Sequence, residues 1–310
     1  MLSAAARAKP SCHEVVPARR ACARHVKHCD FVCELAGKKW AAQGVQAETL
    51  SRLFDTIGST NKFFVEFGYP GRKLCEGYPN SCGLALSGWS GVYMDGSNSN
   101  PAINLSRAFI TPDNIVSLLR ERHVPAELDY LSIDIDSHDL WIAQEVLRSE
   151  YKPRLFSVEY NSNFPHGVAL TLARPAAGGA TDLPSPSQCA FGASASALEH
   201  MAHVFGYVPV AIERRLDIFF MRRDLAHANR VPRLNLADAQ VQQNLHAPMS
   251  TADASRFVDY PVWLAHSDLD VAHPRGRGVQ AADAVATARQ ALAALAANTS
   301  LTCFRNLRAK

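Results

Sequence analysis

The chain is short of the features by which many sequences declare their chemistry. No apolar run approaches the roughly 18–20 residues a membrane span needs, and no apolar signal-peptide core is visible at the start. The eight cysteines, at 12, 22, 29, 33, 75, 82, 189 and 303, form no CxxC pair, which excludes a zinc ribbon and a thioredoxin-type motif. They read as mostly reduced thiols of an intracellular, cytoplasmic protein. The phosphate cradles GxGxxG and GxxxxGK[ST] are both missing. Net charge is only +3 over 310 residues, too little to imply a nucleic-acid partner. There is no internal repeat. His25, His28, Cys29 and Cys33 have helical spacing but no second matched pair to complete a zinc site, so they read as incidental residues of a helix.

What is present centres on residues 129–141, DYLSIDIDSHDLW. Residues 130–135 form a short apolar, β-branched run, as a strand buried on both faces of a parallel sheet requires. Asp134, Asp136, His138 and Asp139 then crowd its carboxyl end, and Leu140, Trp141, Ile142, Val146 and Leu147 follow at helical spacing. Polar clusters at such strand-to-helix turns are where open α/β sheets bind ligands. Carboxylates this close repel one another unless something positive or hydrogen-bonding faces them. The cluster is therefore either a ligand or metal site or a solvated turn in which Asp139 caps the helix.

Residues 1–30 carry Arg7, Lys9, Arg19, Arg20, Arg24 and Lys27 against only Glu14 and Asp30. That is the composition of an organelle transit peptide or of a retained basic extension. Residues 31–57 read as helical, anchored by Phe31, Leu35, Leu50, Leu53 and Phe54. KFFVEFG at 62–68 is the first strong strand, carrying Glu66 and stopping at Gly68. A loop with Pro70, Gly71, Gly77 and Pro79 follows, Asn80 caps a short helix, and Gly88 ends it. GVYMD at 91–95 is a second strand ending in Asp95. Thr111, Pro112 and Asp113 open a helix. RLFSVEY at 154–160 is another strand, with Glu159 and Asn161 at its end. Residues 165–190, rich in Pro, Gly, Ala and Ser, suit a mobile loop over the ligand edge. Residues 194–205 read as a helix. Residues 207–212 and 216–221, split by Glu213, Arg214 and Arg215, read as a hairpin. Past residue 224 the pattern weakens toward an Ala-rich helix at about 279–297, an appendage expected to pack on the domain or a partner. The chain divides into a basic extension and helix (1–60), a catalytic domain (61–225) and a C-terminal extension (226–310).

Strand, glycine-bearing turn, helix, strand, acid is the order of a dinucleotide-type half, in which the acid after the second strand bonds ribose hydroxyls. With the terminal hairpin, the chain resembles a class I S-adenosylmethionine-dependent methyltransferase, and more closely the FkbM-like methyltransferases. The resemblance rests on FFVEFG (63–68), GWSGVYMDG (88–96), YLSIDIDSHD (130–139), RLFSVEYN (154–161) and GYVPVAIERRLDIFFMRRD (206–224). It implies an α/β, doubly wound, mostly parallel Rossmann-like sheet ending in an antiparallel hairpin, with helical extensions at both ends. It implies S-adenosylmethionine as cofactor, Glu66 and Gly68 along its methionine and ribose side, Asp95 on the ribose hydroxyls, and Asp134 beside the transferable methyl. The chain departs from the family where the first glycine motif is stretched into GYPGRKLCEG and where Asp-x-Glu-Gly-x-Glu is replaced by residues 134–139, DIDSHD.

Methyl transfer from a sulfonium needs oriented partners and a deprotonated acceptor hydroxyl. His138 is one candidate base, having the right ordinary pKa; a solvent-exposed turn histidine is the other reading. Asp134, Asp136, Glu159 and Asn161 are candidate ligands for Mg²⁺, which would acidify the hydroxyl; alternatively they bond substrate and backbone amides. The expected partner is a small-molecule or sugar hydroxyl, with no nucleic acid and no membrane span. A nucleotide-sugar or nicotinamide enzyme, or a non-catalytic module on the same sheet, are the competing readings.

Overall fold

The computed structural model describes residues 46–175, 189–239, 248–266, 282–298 and 301–307. Helix α1 (Gln46–Ile57) precedes strand β1 (Phe63–Phe67), and a short helix α2 (Cys82–Leu86) precedes β2 (Ser90–Asp95) and β3 (Leu105–Arg107). Then follow α3 (Ile115–Glu121), β4 (Tyr130–Ile133), α4 (Asp139–Arg148), β5 (Leu155–Glu159), β6 (Leu170–Leu172), α5 (Ala195–Val204), β7 (Tyr207–Ile212) and β8 (Asp217–Arg222). Helices α6 (Arg223–Ala228), α7 (Leu236–Ala239) and α8 (Thr251–Ala254), strand β9 (Phe257–Asp259), α9 (Tyr260–His266) and α10 (Ala282–Ala297) complete the order. The readings of residues 1–45, of 176–188 in the loop and of 279–281 at the start of the last helix lie outside the described residues.

Seven strands form one sheet in the order β3-β2-β1-β4-β5-β8-β7. β3, β2, β1, β4 and β5 are parallel. β8 runs antiparallel to both β5 and β7, so it is the one reversed strand, and the hairpin read from residues 207–221 is observed. Each strand alternates between two cores, as a period of two dictates. Val65, Phe67, Leu131, Ile133, Phe156 and Val158 pack with α3, α4 and α5. Phe64, Tyr130, Leu155 and Phe219 pack with α1, α2 and α6. From β1 the chain steps outward to β2 and β3, then returns to β4 on the other side of β1. That reversal opens a crevice at the carboxyl ends of β1 and β4.

Four expectations need correction. Ser81, not Asn80, occupies the N-cap of α2, and it makes no side-chain cap bond; the Asn80 amide donates instead to Ser132 Oγ and Asp217 Oδ2. The stretch read as a loop over 165–190 contains the buried strand β6, which pairs antiparallel with β9 in a second, two-stranded sheet. Turn-rich composition masked it, because a three-residue strand is too short to show a period. The helix read from Thr111 begins later, at Ile115, after a turn locked by Thr111 N–H to Asn114 Oδ1 (2.8 Å) and Asn114 N–H to Thr111 Oγ1 (3.3 Å). The reduced-thiol reading fails for the four cysteines in the described residues: Cys75–Cys82 and Cys189–Cys303 are disulfides, with Cα atoms 5.1 and 5.7 Å apart. Chain proximity that spacing alone does not reveal brings each pair together, and the ground for the intracellular reading goes with it, since such bridges persist in oxidising surroundings.

The C-terminal stretch packs firmly on the sheet domain. Trp141 of α4 is fully buried; its indole donates to Leu172 O (2.7 Å), and Tyr260 and Trp263 stand edge-on to it, Trp263 at 4.5 Å. α10 buries Ala284, Ala288, Leu292, Leu295 and Ala296, the narrow stripe its two leucines suggested. It shares a core with Phe164, Leu170, Phe257 and Phe304 that the Cys189–Cys303 bridge fastens. No helix among the described residues is long and apolar enough to cross a membrane.

Candidate functional site

Strand register decides which acids share an edge. Glu66 of β1 lies beside Ser132 of β4, and Ser132 beside Ser157 of β5. Two residues further along, on the same face by the period of two, stand Asp134 and Glu159. Glu159 lies opposite Asp217 of β8. Together with the turns after β1, β2 and β3, this edge walls a cavity of about 450 Å³, within the range of small-molecule sites. Five of the lining side chains are carboxylates: Glu66, Asp95, Asp134, Asp136 and Asp217. Among the described residues that line it, none is Lys, Arg or His.

Gly68 makes the crevice possible. Its φ is +73°, and a Cβ there would lie 1.6 Å from the Asp134 carbonyl oxygen. Only glycine lets the chain leave β1 this close to β4, and its N–H is held by Met94 O at 3.0 Å.

Glu66 is buried beneath the cavity. Its carboxylate accepts from Asn80 N–H (2.8 Å), Ser81 N–H (3.0 Å) and the Ser81 hydroxyl. Burial lifts its pKa to about 7 despite those bonds. It therefore fastens the loop after β1 to the strand as well as lining the cavity. Asp95 closes an Asx turn at the end of β2, its Oδ1 accepting from Ser97 N–H (2.8 Å) and Asn98 N–H (2.6 Å). Oδ2 takes no part in that turn.

Asp134 and Glu159 are held well above the usual carboxylate range. Burial is the main cause for both; the strongest single repulsion on Asp134 comes from Asp217, and that on Glu159 from Asp134. Glu159 Oε2 is buried with no hydrogen-bond partner. Asp136 is exposed, with left-handed backbone at φ +57°. Carboxylate oxygens of Asp134, Asp136 and Glu159 lie within 4.8 Å of one another. The structure thus gathers three of the four candidate metal ligands. Asn161 is engaged elsewhere: its Nδ2 donates to Cys189 O (3.0 Å) and Phe191 O (2.8 Å), and its Oδ1 accepts from Asn163 N–H (3.1 Å) and Nδ2 (2.9 Å).

His138 occupies the N-cap of α4, is 6% exposed, and does not line the cavity. The exposed-turn reading is corrected, and the imidazole is not where a base for a ligand in this cavity would stand. Asp139 is the turn's fixing group. Its Oδ1 accepts from Ile135 N–H (2.7 Å) and its Oδ2 from Ser137 N–H (2.9 Å), while burial raises its pKa to about 6. It ties the strand end to the helix start, so that Asp134 and Asp136 project from a fixed turn.

Sequence reasoning missed Asp217, Tyr78 and Phe109. Tyr78 and Phe109 are cavity-lining aromatics left 60% and 56% exposed. Asp217 had a legible signal, an acid set at the head of an otherwise apolar strand, DIFFM. The aromatics had none, because only the fold brings their two loops to one rim.

No protein-family model matches the chain, and no curated protein matches it. One similar solved structure is the MycE methyltransferase from the mycinamycin biosynthetic pathway in complex with Mg, SAH and mycinamycin VI. Identity is 16%, the match covers 63% of this chain and 54% of that one, and the TM-score is 0.36. The chain spans about half the length of that structure.

Proposed function

We propose that the protein is an S-adenosylmethionine-dependent methyltransferase of the class I, FkbM-like kind, acting on a hydroxyl of a small molecule or sugar. The charge of the cavity carries this reading. A dinucleotide or nucleotide sugar brings a pyrophosphate, which needs cations or a glycine cradle. Five carboxylates with no cationic side chain among them would repel it. S-adenosylmethionine brings a sulfonium, an ammonium, one carboxylate and ribose hydroxyls, which leaves it net positive, and no phosphate. Asp95, at the end of β2, takes the ribose hydroxyls. Gly68 gives the thioether chain passage between β1 and β4. Asp134 and its neighbours face the sulfonium, and the mostly parallel sheet with a reversed strand beside β5 supports the same class.

The close approach of Asp134, Asp136 and Glu159, with one Glu159 oxygen unmet, fits a divalent cation with oxygen ligands such as Mg²⁺. When bound, such an ion supplies Lewis acidity toward an acceptor hydroxyl. The chain's own part is to hold that hydroxyl in line with the methyl group and to receive its proton on the carboxylate cluster, His138 being outside the cavity.

Calorimetry with S-adenosylhomocysteine and with NAD tests the reading: the first is expected to bind and the second not, and the reverse result overturns it. Labelled-methyl transfer then separates an enzyme from a binding module. Chelation should abolish transfer and Mg²⁺ restore it. Asp134→Asn should lose about 10²–10⁴-fold in rate, the range of a lost acid–base group, while still binding S-adenosylhomocysteine. Full activity in both the chelated protein and Asp134→Asn would remove the cation and the acid cluster from the mechanism.

A further inference from the structure

Asp217 is an acid that neither the ribose contact nor the cation cluster uses. It opens β8, opposite Glu159, and is 2% exposed. Its Oδ2 accepts from Gln46 Nε2 and Asn80 Nδ2, each at 3.2 Å. Those two amides, from α1 and from the loop after β1, hold the carboxylate in one orientation. Its Oδ1 is buried and has no hydrogen-bond partner. The residue lines the cavity but stands outside the group of carboxylates whose oxygens converge within 4.8 Å, so a cation held there does not meet it. A buried carboxylate oxygen left unmet is costly. Among the described residues no lysine, arginine or histidine lines the cavity to meet it.

A ligand in the cavity can supply the missing donor. The cavity wall runs from Asp95 at the end of β2, past Gly68 and Asp134, to Asp217 at the start of β8. Asp95 and Asp217 thus stand at its two ends. We propose that Asp217 Oδ1 receives the α-ammonium group of the cofactor's amino-acid end. This rests on the methyltransferase reading and extends it by naming a binding residue on the reversed strand. Neighbouring Asp134 and Glu66 strengthen the preference for a cation there, and no anionic group fits that position.

The test compares two ligands that share adenine and ribose and differ in the amino-acid end. S-adenosylhomocysteine and 5′-methylthioadenosine are titrated into the wild type and Asp217→Asn. The variant should bind S-adenosylhomocysteine about ten- to a hundredfold more weakly, the scale of a lost charge-assisted hydrogen bond, and 5′-methylthioadenosine unchanged. Should the variant not fold, the desamino analogue of S-adenosylhomocysteine on the wild type reads the same contact and should bind weaker by the same factor. Equal losses for both ligands, or no loss for either, overturn the proposal. Unchanged S-adenosylhomocysteine binding with a raised KM for the acceptor would reassign Asp217 to the acceptor and also overturn it. If the wild type binds neither ligand, the methyltransferase reading itself fails and takes this inference with it.

Discussion

Asp129 and Asp134 stand just outside the two ends of the same strand, and their treatment by the fold is opposite. Asp129 is fully buried, yet every need of its carboxylate is met. It accepts from the amides of Thr60 (2.9 Å), Asn61 (2.9 Å) and Lys62 (2.7 Å), from the Thr60 hydroxyl (3.0 Å), and from the Arg154 guanidinium (2.8 Å). Burial pushes its pKa up, but Arg154 and those amides outweigh burial and hold it below the usual value. Asp134 has acids for neighbours, and burial and repulsion drive its pKa the other way. A buried acid ringed by donors is a rivet. A half-buried acid ringed by acids awaits something positive. The sheet therefore separates its two duties by end: the amino edge is closed by satisfied polar bonds and the carboxyl edge is left charged.

The sharpest way to break this contrast is to remove the rivet. Asp129→Asn leaves Arg154 buried without its counter-charge and should cost about 3–5 kcal/mol of stability, the scale for breaking a buried pair, read from the urea midpoint at unchanged m. A loss similar to that of Asp134→Asn would mean that the two ends do not differ. Asp134→Asn should itself be neutral or stabilising in the ligand-free protein, since it relieves repulsion.

The two ends should also answer pH with opposite sign. Asp129, whose folded pKa is lowered, contributes stability above its unfolded value, and that contribution is lost as pH falls through the folded value. Glu66, raised to about 7, and Asp139 and Asp217, raised to about 6, bind protons more tightly folded than unfolded. Across the window from their ordinary values, near 4, up to about 7, stability must therefore fall as pH rises. The ligand-free melting temperature should decline between about pH 5 and 7.5, and Mg²⁺ with S-adenosylhomocysteine should flatten that slope. A melting temperature that climbs through this window would contradict the charge-starved carboxyl edge. The smallest effect belongs to Arg120, whose forked contact with Glu150 (2.6 and 2.8 Å) lies on the surface. Arg120→Ala should not move the melting temperature measurably; a large shift would show that hydrogen-bond geometry outweighs burial here.

Much of the sheet could be read in advance, because parallel strands buried on both faces appear as uninterrupted apolar runs. FFVEF, GVYMD, YLSI and LFSVE were all visible, as was the hairpin, whose charged Glu213, Arg214 and Arg215 break two such runs. Gly68 and the acids at strand ends were legible because the switch point of an open sheet concentrates them. Other features arise only from contact between distant segments. Thr171 meets Val258 across the β6–β9 ladder, Cys189 meets Cys303, and Asn161 meets Cys189 and Phe191 rather than a ligand. Nothing local in those residues records the partner. His138 and Asp139 show the same limit within one turn: adjacent residues of polar type, neither lining the cavity, of which the fold buried one at the N-cap of α4 and made the other a tie.

The Cys75–Cys82 bridge has a consequence for the shape of the site. It brackets Gly77, Tyr78, Pro79 and Asn80, all of which wall the cavity, and it ends where α2 begins. The sheet forms its ladders without that bridge, but the loop walling one side of the cavity is held by a covalent tie that only thiol oxidation makes. The shape of that side of the site therefore depends on the redox state of two cysteines as well as on the sheet.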